Sequence, residues 1–331
     1  MNSNNPVADQ IWAMIDNFRG YSFCKAHSAS YTRISFESAY LRRHHPAEFM
    51  AAVISNGGGF YSTSAYISEC LRMGLTVLPI DINESQYHYK GFQKNVRIGF
   101  MAVKGLPEKT IKTIIKERKE NGHYLSLYDY LHRTDTSFID NQKLNNLDAF
   151  AKISPWNTSQ IYWQMHEFYR SRNASGQLQL FPPSEKTPPV LNAPTIEEKR
   201  NHQMNMLGYL VNQHPFVLWE TQITKMNVVY QPATEISKHI GENITLLGFP
   251  ITKKLAKTRK GDSMAFYSFE DQHAIYDVTL FPKAYERYKN LVIAESPCFL
   301  HGLVESEFGA ESVTIHWILG IQNFLYEAQK H

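Results

Sequence analysis

Cations crowd two stretches of this sequence: Lys104, Lys109, Lys112, Lys116 and Lys119 in one, and Lys253, Lys254, Lys257, Arg259 and Lys260 in the other. Clustered positive charge makes a local field that captures phosphate, and the formal net charge of +3 says little beside it. A solvated surface is the competing reading of each cluster. Lys25, His27 and Ser28 could meet a nucleotide triphosphate through charge and hydrogen bonds. Cys24 lies near His27, but no third group orients that pair as a thiol nucleophile would need. The histidines His44, His45 and His88 lack metal-ligand spacing, and Asp81 and Asp271 stand alone. No catalytic residue and no metal ligand are therefore expected.

Helices must position the first cluster. Ile11, Met14, Ile15 and Phe18 recur at helical spacing, and a second helical run is expected to reach His45, where Pro46 imposes a boundary. Short helices over 46–54 and 64–73, with Gly74 as a cap, precede an apolar strand over 75–80. Ile98 to Gly122 then reads as a short helix, the turn Lys104-Gly105-Leu106-Pro107, and a helix with Ile111, Ile114 and Ile115 on one side. That layout resembles a helix-hairpin-helix, whose glycine lets the chain approach DNA while N–H groups at a helix start meet phosphate. Lys104, Gly105, Lys109 and Lys112 are the expected contacts. Pro107 replaces the usual second glycine and removes a donor, so a purely structural hairpin stays open. Further helix is expected over 124–131, 142–150 and 197–210.

Residues 173–195 change texture to Gly, Ser, Gln and five prolines, the composition of a linker. Inside it stands Gln177-Leu178-Gln179-Leu180-Phe181. Two leucines and a phenyl ring on a tether need an apolar recess elsewhere, with Gln177 as a polar anchor. The last ninety residues switch to strands over 244–249, 264–270, 276–281, 298–304 and 313–319, with a helix from Pro282 between the third and fourth. Five strands with a helix in that slot is the order of an OB-fold barrel, a common holder of single-stranded nucleic acid. Lys254, Lys257, Arg259 and Lys260, in a loop from 253 to 260, would track the phosphates. Tyr267 or Phe269 would stack on bases, although alternation leaves open which faces solvent.

Four collinear blocks carry a family resemblance: Phe18-Arg19-Gly20-Tyr21-Ser22-Phe23-Cys24-Lys25-Ala26-His27-Ser28, Tyr40-Leu41-Arg42-Arg43-His44-His45-Pro46-Ala47-Glu48-Phe49, Glu69-Cys70-Leu71-Arg72-Met73-Gly74 and Leu78-Pro79-Ile80-Asp81-Ile82-Asn83. Gly208-Tyr209-Leu210, His214-Pro215 and Lys260-Gly261-Asp262 continue it. The sequence resembles the carboxy-terminal part of the alpha subunit of bacterial DNA polymerase III, a C-family replicative polymerase. An error-prone paralogue of alpha is a related variant.

The resemblance implies a multi-domain α+β chain: a mainly helical end of the fingers over 1–80, a helix-hairpin-helix domain over 81–172, a linker with connecting helix over 173–240, and a five-stranded OB-fold β-barrel over 241–331. It places Lys25, His27 and Ser28 near an incoming nucleotide, and makes Gln177, Leu178, Leu180 and Phe181 a docking peptide for the ring-shaped sliding clamp. Cys24 stands where the family has asparagine. The palm, with the clustered carboxylates that hold the magnesium ions of a complete polymerase, would lie upstream. This chain is thus expected to need no cofactor and to be inactive alone. Expected partners are double- and single-stranded DNA, the clamp, and a separate palm-bearing chain; the alternative is a free-standing clamp and single-strand adaptor. No stretch approaches the roughly 20 apolar residues of a membrane helix, and a cytoplasmic, nucleoid-associated setting is expected.

Overall fold

The structure is a computed structural model that describes residues 25–57, 59–174, 186–292, 296–307 and 309–321. The expected helix over 6–18 and the block through Cys24 lie outside those residues. Helix α1 (Lys25–His44) ends one residue before His45, and Pro46 starts α2 (Pro46–Asn56), where its missing N–H costs nothing. Ser62 caps α3 (Thr63–Arg72), its hydroxyl accepting from the Ala65 N–H. Three short strands follow: β1 (Thr76–Leu78), β2 (Lys90–Phe92) and β3 (Asn95–Arg97), in the order β1-β3-β2.

Past a 3₁₀ turn at Phe100–Ala102, α4 (Glu108–Asn121), α5 (Leu127–Arg133), α6 (Phe138–Asn146), α7 (Thr158–Ala174) and α8 (Ile196–Leu207) complete the helical module. One apolar core runs from Ala47 and Ile54 through Phe100 and Ile114 to Leu207 and Tyr209, where the Tyr209 and Tyr89 hydroxyls meet at 2.6 Å. That core shows no break at the expected boundary between residues 80 and 81. Residues 186–191 lie along α7, held by Asn157, just before the helix, donating to the Leu191 carbonyl and by Gln160 of α7 donating to the Pro189 carbonyl.

A 3₁₀ turn at Pro215–Leu218 and α9 (Glu220–Met226) lead to the barrel, and Phe216 and Trp219 pack on its residues Leu247 and Phe299. The barrel strands are β4 (Asn243–Lys257), β5 (Ser263–Glu270), β6 (Ile275–Leu280), β7 (Cys298–Glu307) and β8 (Ala310–Gly320). They close in the order β4-β5-β6-β8-β7, and α10 (Pro282–Val292) fills the slot between β6 and β7. This is the OB-fold order. Closure depends on β4, which pairs first with β7 over Asn243 to Gly248 and then, from Phe249 on and with a bulge between Pro250 and Thr252, with β5. A Cβ at Gly248 would stand 2.1 Å from the Tyr276 hydroxyl, so only glycine fits where the strand coils inward. Ala265, Tyr267 and Phe269 of β5 and Tyr276, Val278 and Leu280 of β6 fill the core. Residues 264, 266, 268 and 270 of β5, and 275, 277 and 279 of β6, therefore face outward.

The helical module docks on one end of that outer face. Glu270 of β5, 1% exposed, takes Arg72 Nη1 at 2.9 Å and the Ser68 hydroxyl at 3.1 Å, while Arg72 Nε holds Glu69 at 2.8 Å. Burial keeps the Glu270 carboxyl above its usual range, against the pull of Arg72 and Ser68.

His214 closes the rear of this junction. Its Nδ1 accepts the Phe216 N–H, so the proton sits on Nε2, 4.0 Å from Glu270. Burial, then the Arg72 charge, pushes the His214 ring down to about 4. A histidine depressed on folding contributes stability that is present above its unfolded value near 6.5 and is lost as pH falls toward the folded value. The expected loss from this residue between pH 7 and pH 4 is on the order of 3 kcal/mol. The raised Glu270 acts in the opposite sense, so the His214 part is read as the difference from His214→Asn, which keeps an acceptor for Phe216. Parallel pH profiles of urea-unfolding stability for the two proteins would refute this assignment.

Candidate nucleic-acid interface

Lys253, Lys254 and Lys257 lie on β4 rather than in a loop, because the strand outlasts its apolar stretch by pairing with β5 as far as Lys257 opposite Ser263. The turn proper carries Arg259, Lys260 and Gly261, closed by the Thr258 N–H donating to the Asp262 carbonyl. All five cations are exposed, and none has an ion-pair partner among the described residues. Free cations concentrated at one barrel end can exchange counterions for phosphates without first breaking an internal pair.

The stacking residue differs from expectation. Tyr267 is 4% exposed and points into the barrel with Phe269, so neither ring can meet a base. Burial pushes the Tyr267 hydroxyl up to about 12. The outward ring on that strand is Phe266, 43% exposed, with Lys254 directly across on β4 and Thr279 across on β6. Phe281, the residue after β6, is 48% exposed. Sequence reasoning missed both because apolar residues occupy both faces of β5, and the alternation carries no contrast. An exposed ring with a lysine directly across from it supplies the stacking face and charge that unpaired nucleic acid needs.

In the hairpin, the first helix is reduced to the 3₁₀ turn at Phe100–Ala102. Gly105 has φ +69°, its carbonyl accepts from Lys143, and Lys104 N–H donates to the Met206 carbonyl at 2.8 Å. Pro107 sits at the N-cap of α4, leaving the N–H groups of the next residues at an exposed helix start. Lys104, Lys109 and Lys112 are exposed, and Lys112 pairs with Glu108 at 2.8 Å. Such solvated pairs are weak and readily give way to phosphate.

Lys25, His27 and Ser28 fall together in the first turns of α1. Gln177, Leu178, Leu180 and Phe181 lie outside the described residues. Cys70 and Cys298 are buried, and burial pushes both thiols up to about 12, which removes them as nucleophiles at neutral pH. No helix among the described residues is long and apolar enough to cross a membrane.

A family model described as a helix-hairpin-helix motif matches residues 74–158. The DNA polymerase III alpha subunits of Saccharopolyspora erythraea and Thermus aquaticus are each 28% identical over 92% of this chain. An error-prone DNA polymerase of Symbiobacterium thermophilum is 27% identical over 94% of it. The chain spans 28%, 26% and 33% of the lengths of these three relatives. Among solved structures, the mitochondrial single-stranded DNA binding protein of S. cerevisiae matches at 11% identity and a TM-score of 0.22, covering 25% of this chain and 95% of its own. The second OB-fold domain of replication protein A from Methanococcus maripaludis matches at 13% identity and a TM-score of 0.20, covering 25% and 88%. On sequence, then, the chain is similar over most of its own length to a quarter or so of the bacterial DNA polymerase III alpha subunit.

Proposed function

We propose that this chain is a DNA-holding, clamp-docking segment from the carboxy-terminal part of a polymerase III alpha-type protein, acting in replication or error-prone repair synthesis without itself supplying the phosphoryl-transfer carboxylates. The observation that carries the reading is the outer face of the barrel. Phe266 lies open to solvent across from Lys254, on the strand pair that leads to the cation-rich turn at Arg259 and Lys260, and Phe281 lies open just past β6, while the aromatic residues of the core are fully occupied with packing. The relatives' names support a setting in DNA synthesis, and the helix-hairpin-helix match supports a second, duplex-directed contact through Lys104, Gly105, Lys109 and the start of α4. Gln177, Leu178, Leu180 and Phe181 would anchor the segment to a sliding clamp. Lys25, His27 and Ser28 would face the nucleotide only in company with a palm.

Single-strand binding tests the reading directly. Base-on-aromatic stacking contributes about 1–3 kcal/mol per base, so Phe266→Ala should weaken oligonucleotide binding by roughly 5- to 150-fold while Tyr267→Phe leaves it near the parent value. Affinity should also fall with salt, since phosphates captured by Lys254, Lys257, Arg259 and Lys260 release counterions. Fluorescence anisotropy on a labelled oligothymidylate reads both. An unchanged constant for Phe266→Ala, or binding indifferent to salt, would remove the barrel face from the site.

A further inference from the structure

A cleft of about 900 Å³ separates the helical module from the barrel, within the size range of ligand sites. Its walls include Arg42 of α1, Tyr61 and Tyr66 around the start of α3, Glu69, and His273 and Ile275 of the barrel. The barrel wall is not a separate surface. Ile275 pairs with Glu270 and faces outward with it, so the cleft floor continues the same strand face that shows Phe266 four residues away along β5. At strand spacing that is about 13 Å.

The chemistry along that line changes from cationic to aromatic. Phe60, next in sequence to the cleft residue Tyr61, is 71% exposed. It meets Tyr61 edge-on at 5.1 Å, and Tyr61 meets Tyr66 edge-on at 6.0 Å. A Cβ at Gly59 would lie 2.3 Å from the Tyr66 hydroxyl, so the approach to Phe60 is held against that ring. Arg42, paired to Glu69 yet half exposed, supplies a cation at the lip. Asp277, outward on β6 and bonded to Ser268, makes the floor between Phe266 and the cleft unsuitable for phosphate but able to accept from an exocyclic amine. A strand crossing here must turn its bases toward the protein.

We propose that the cleft receives unpaired bases of the strand held on the barrel, with Phe60 and Tyr61 stacking on them and Arg42 meeting the adjoining phosphate. This rests on the single-strand reading of the barrel face and extends the binding track beyond it. The helical module would thereby lengthen the stretch of strand that one barrel can hold.

Two oligodeoxycytidylates, whose bases carry the exocyclic amine that Asp277 can accept from, of about 4 and about 16 nucleotides, span the usual site sizes of one such barrel. With the full chain, the Phe60→Ala/Tyr61→Ala double variant should lose roughly tenfold or more in affinity for the longer strand and keep its affinity for the shorter. Tyr61→Phe, which preserves the stacking face, should behave as the parent and shows that the cleft is intact. Phe266→Ala should weaken both lengths. If the double variant binds the longer strand as the parent does, or loses equally on both lengths, the cleft proposal is overturned. Phe266→Ala separately reports whether the barrel reading stands.

Discussion

Replacing Arg72 by Ala should destabilise the protein by about 3–5 kcal/mol, the cost of leaving a buried carboxylate without its cation. Glu270 is 1% exposed, and Arg72 is the cation that reaches it within 3 Å. The Ser68 hydroxyl would remain, but one neutral donor does not replace a charge. The effect should be specific to the junction. Trp219 and Trp317 lie on the barrel side, whereas most of the helix lies in the other module, so in a background with Trp12, Trp156 and Trp163 replaced by Phe, tryptophan fluorescence and far-ultraviolet circular dichroism report different halves. In the parent the two urea transitions are expected to coincide; in Arg72→Ala they should separate as the docking contact is lost. Arg72→Met/Glu270→Met should recover much of the loss, because an apolar pair of similar length removes the stranded charge along with its partner. The solvated Arg33→Ala serves as the contrast. A response to Arg72→Ala no larger than that of Arg33→Ala would show that the junction does not depend on this pair.

The junction also marks the limit of what could be read along the chain. Helices α2, α3, α4 and α8 were legible because Pro46, Gly74, Pro107 and Gly208 punctuate them, and all five barrel strands were legible from β-branched and aromatic runs. Three-residue strands such as Lys90-Gly91-Phe92 have no room for a pattern, and α7, with His166 and Gln164 among its aromatics, was not anticipated. At the candidate site the type of chemistry was legible and the orientation was not. A lysine-rich hairpin and an aromatic strand were evident, but the inward turn of Tyr267 depends on which way β5 rolls when the barrel closes. Arg72 and Glu270 lie 198 residues apart, and no local signal links them. The same holds for Tyr61 and Ile275, which line one cleft from different modules.

Removing the aliphatic and aromatic ends of the pentapeptide, Leu180→Ala/Phe181→Ala, should cost the proposed clamp contact about 4 kcal/mol or more, roughly a thousandfold in affinity. Short peptides concentrate their binding free energy in one or two side chains that enter a recess, and Leu178, Leu180 and Phe181 are the apolar residues among Gln, Gly, Ser and Pro neighbours. Gln177→Ala should cost less, because an amide at the edge of a recess exchanges one hydrogen bond for another with water. The clamp and strand contacts use different residues. The double variant should therefore retain the parent affinity for oligothymidylate, and Phe266→Ala should retain the parent affinity for the clamp. Calorimetry of the full chain against the cognate ring, with a free peptide copying residues 175–183 as competitor, separates the cases. Heat that persists in the double variant, or that the peptide cannot displace, would move the contact elsewhere on the chain and leave the DNA-binding face as the part of the reading that stands.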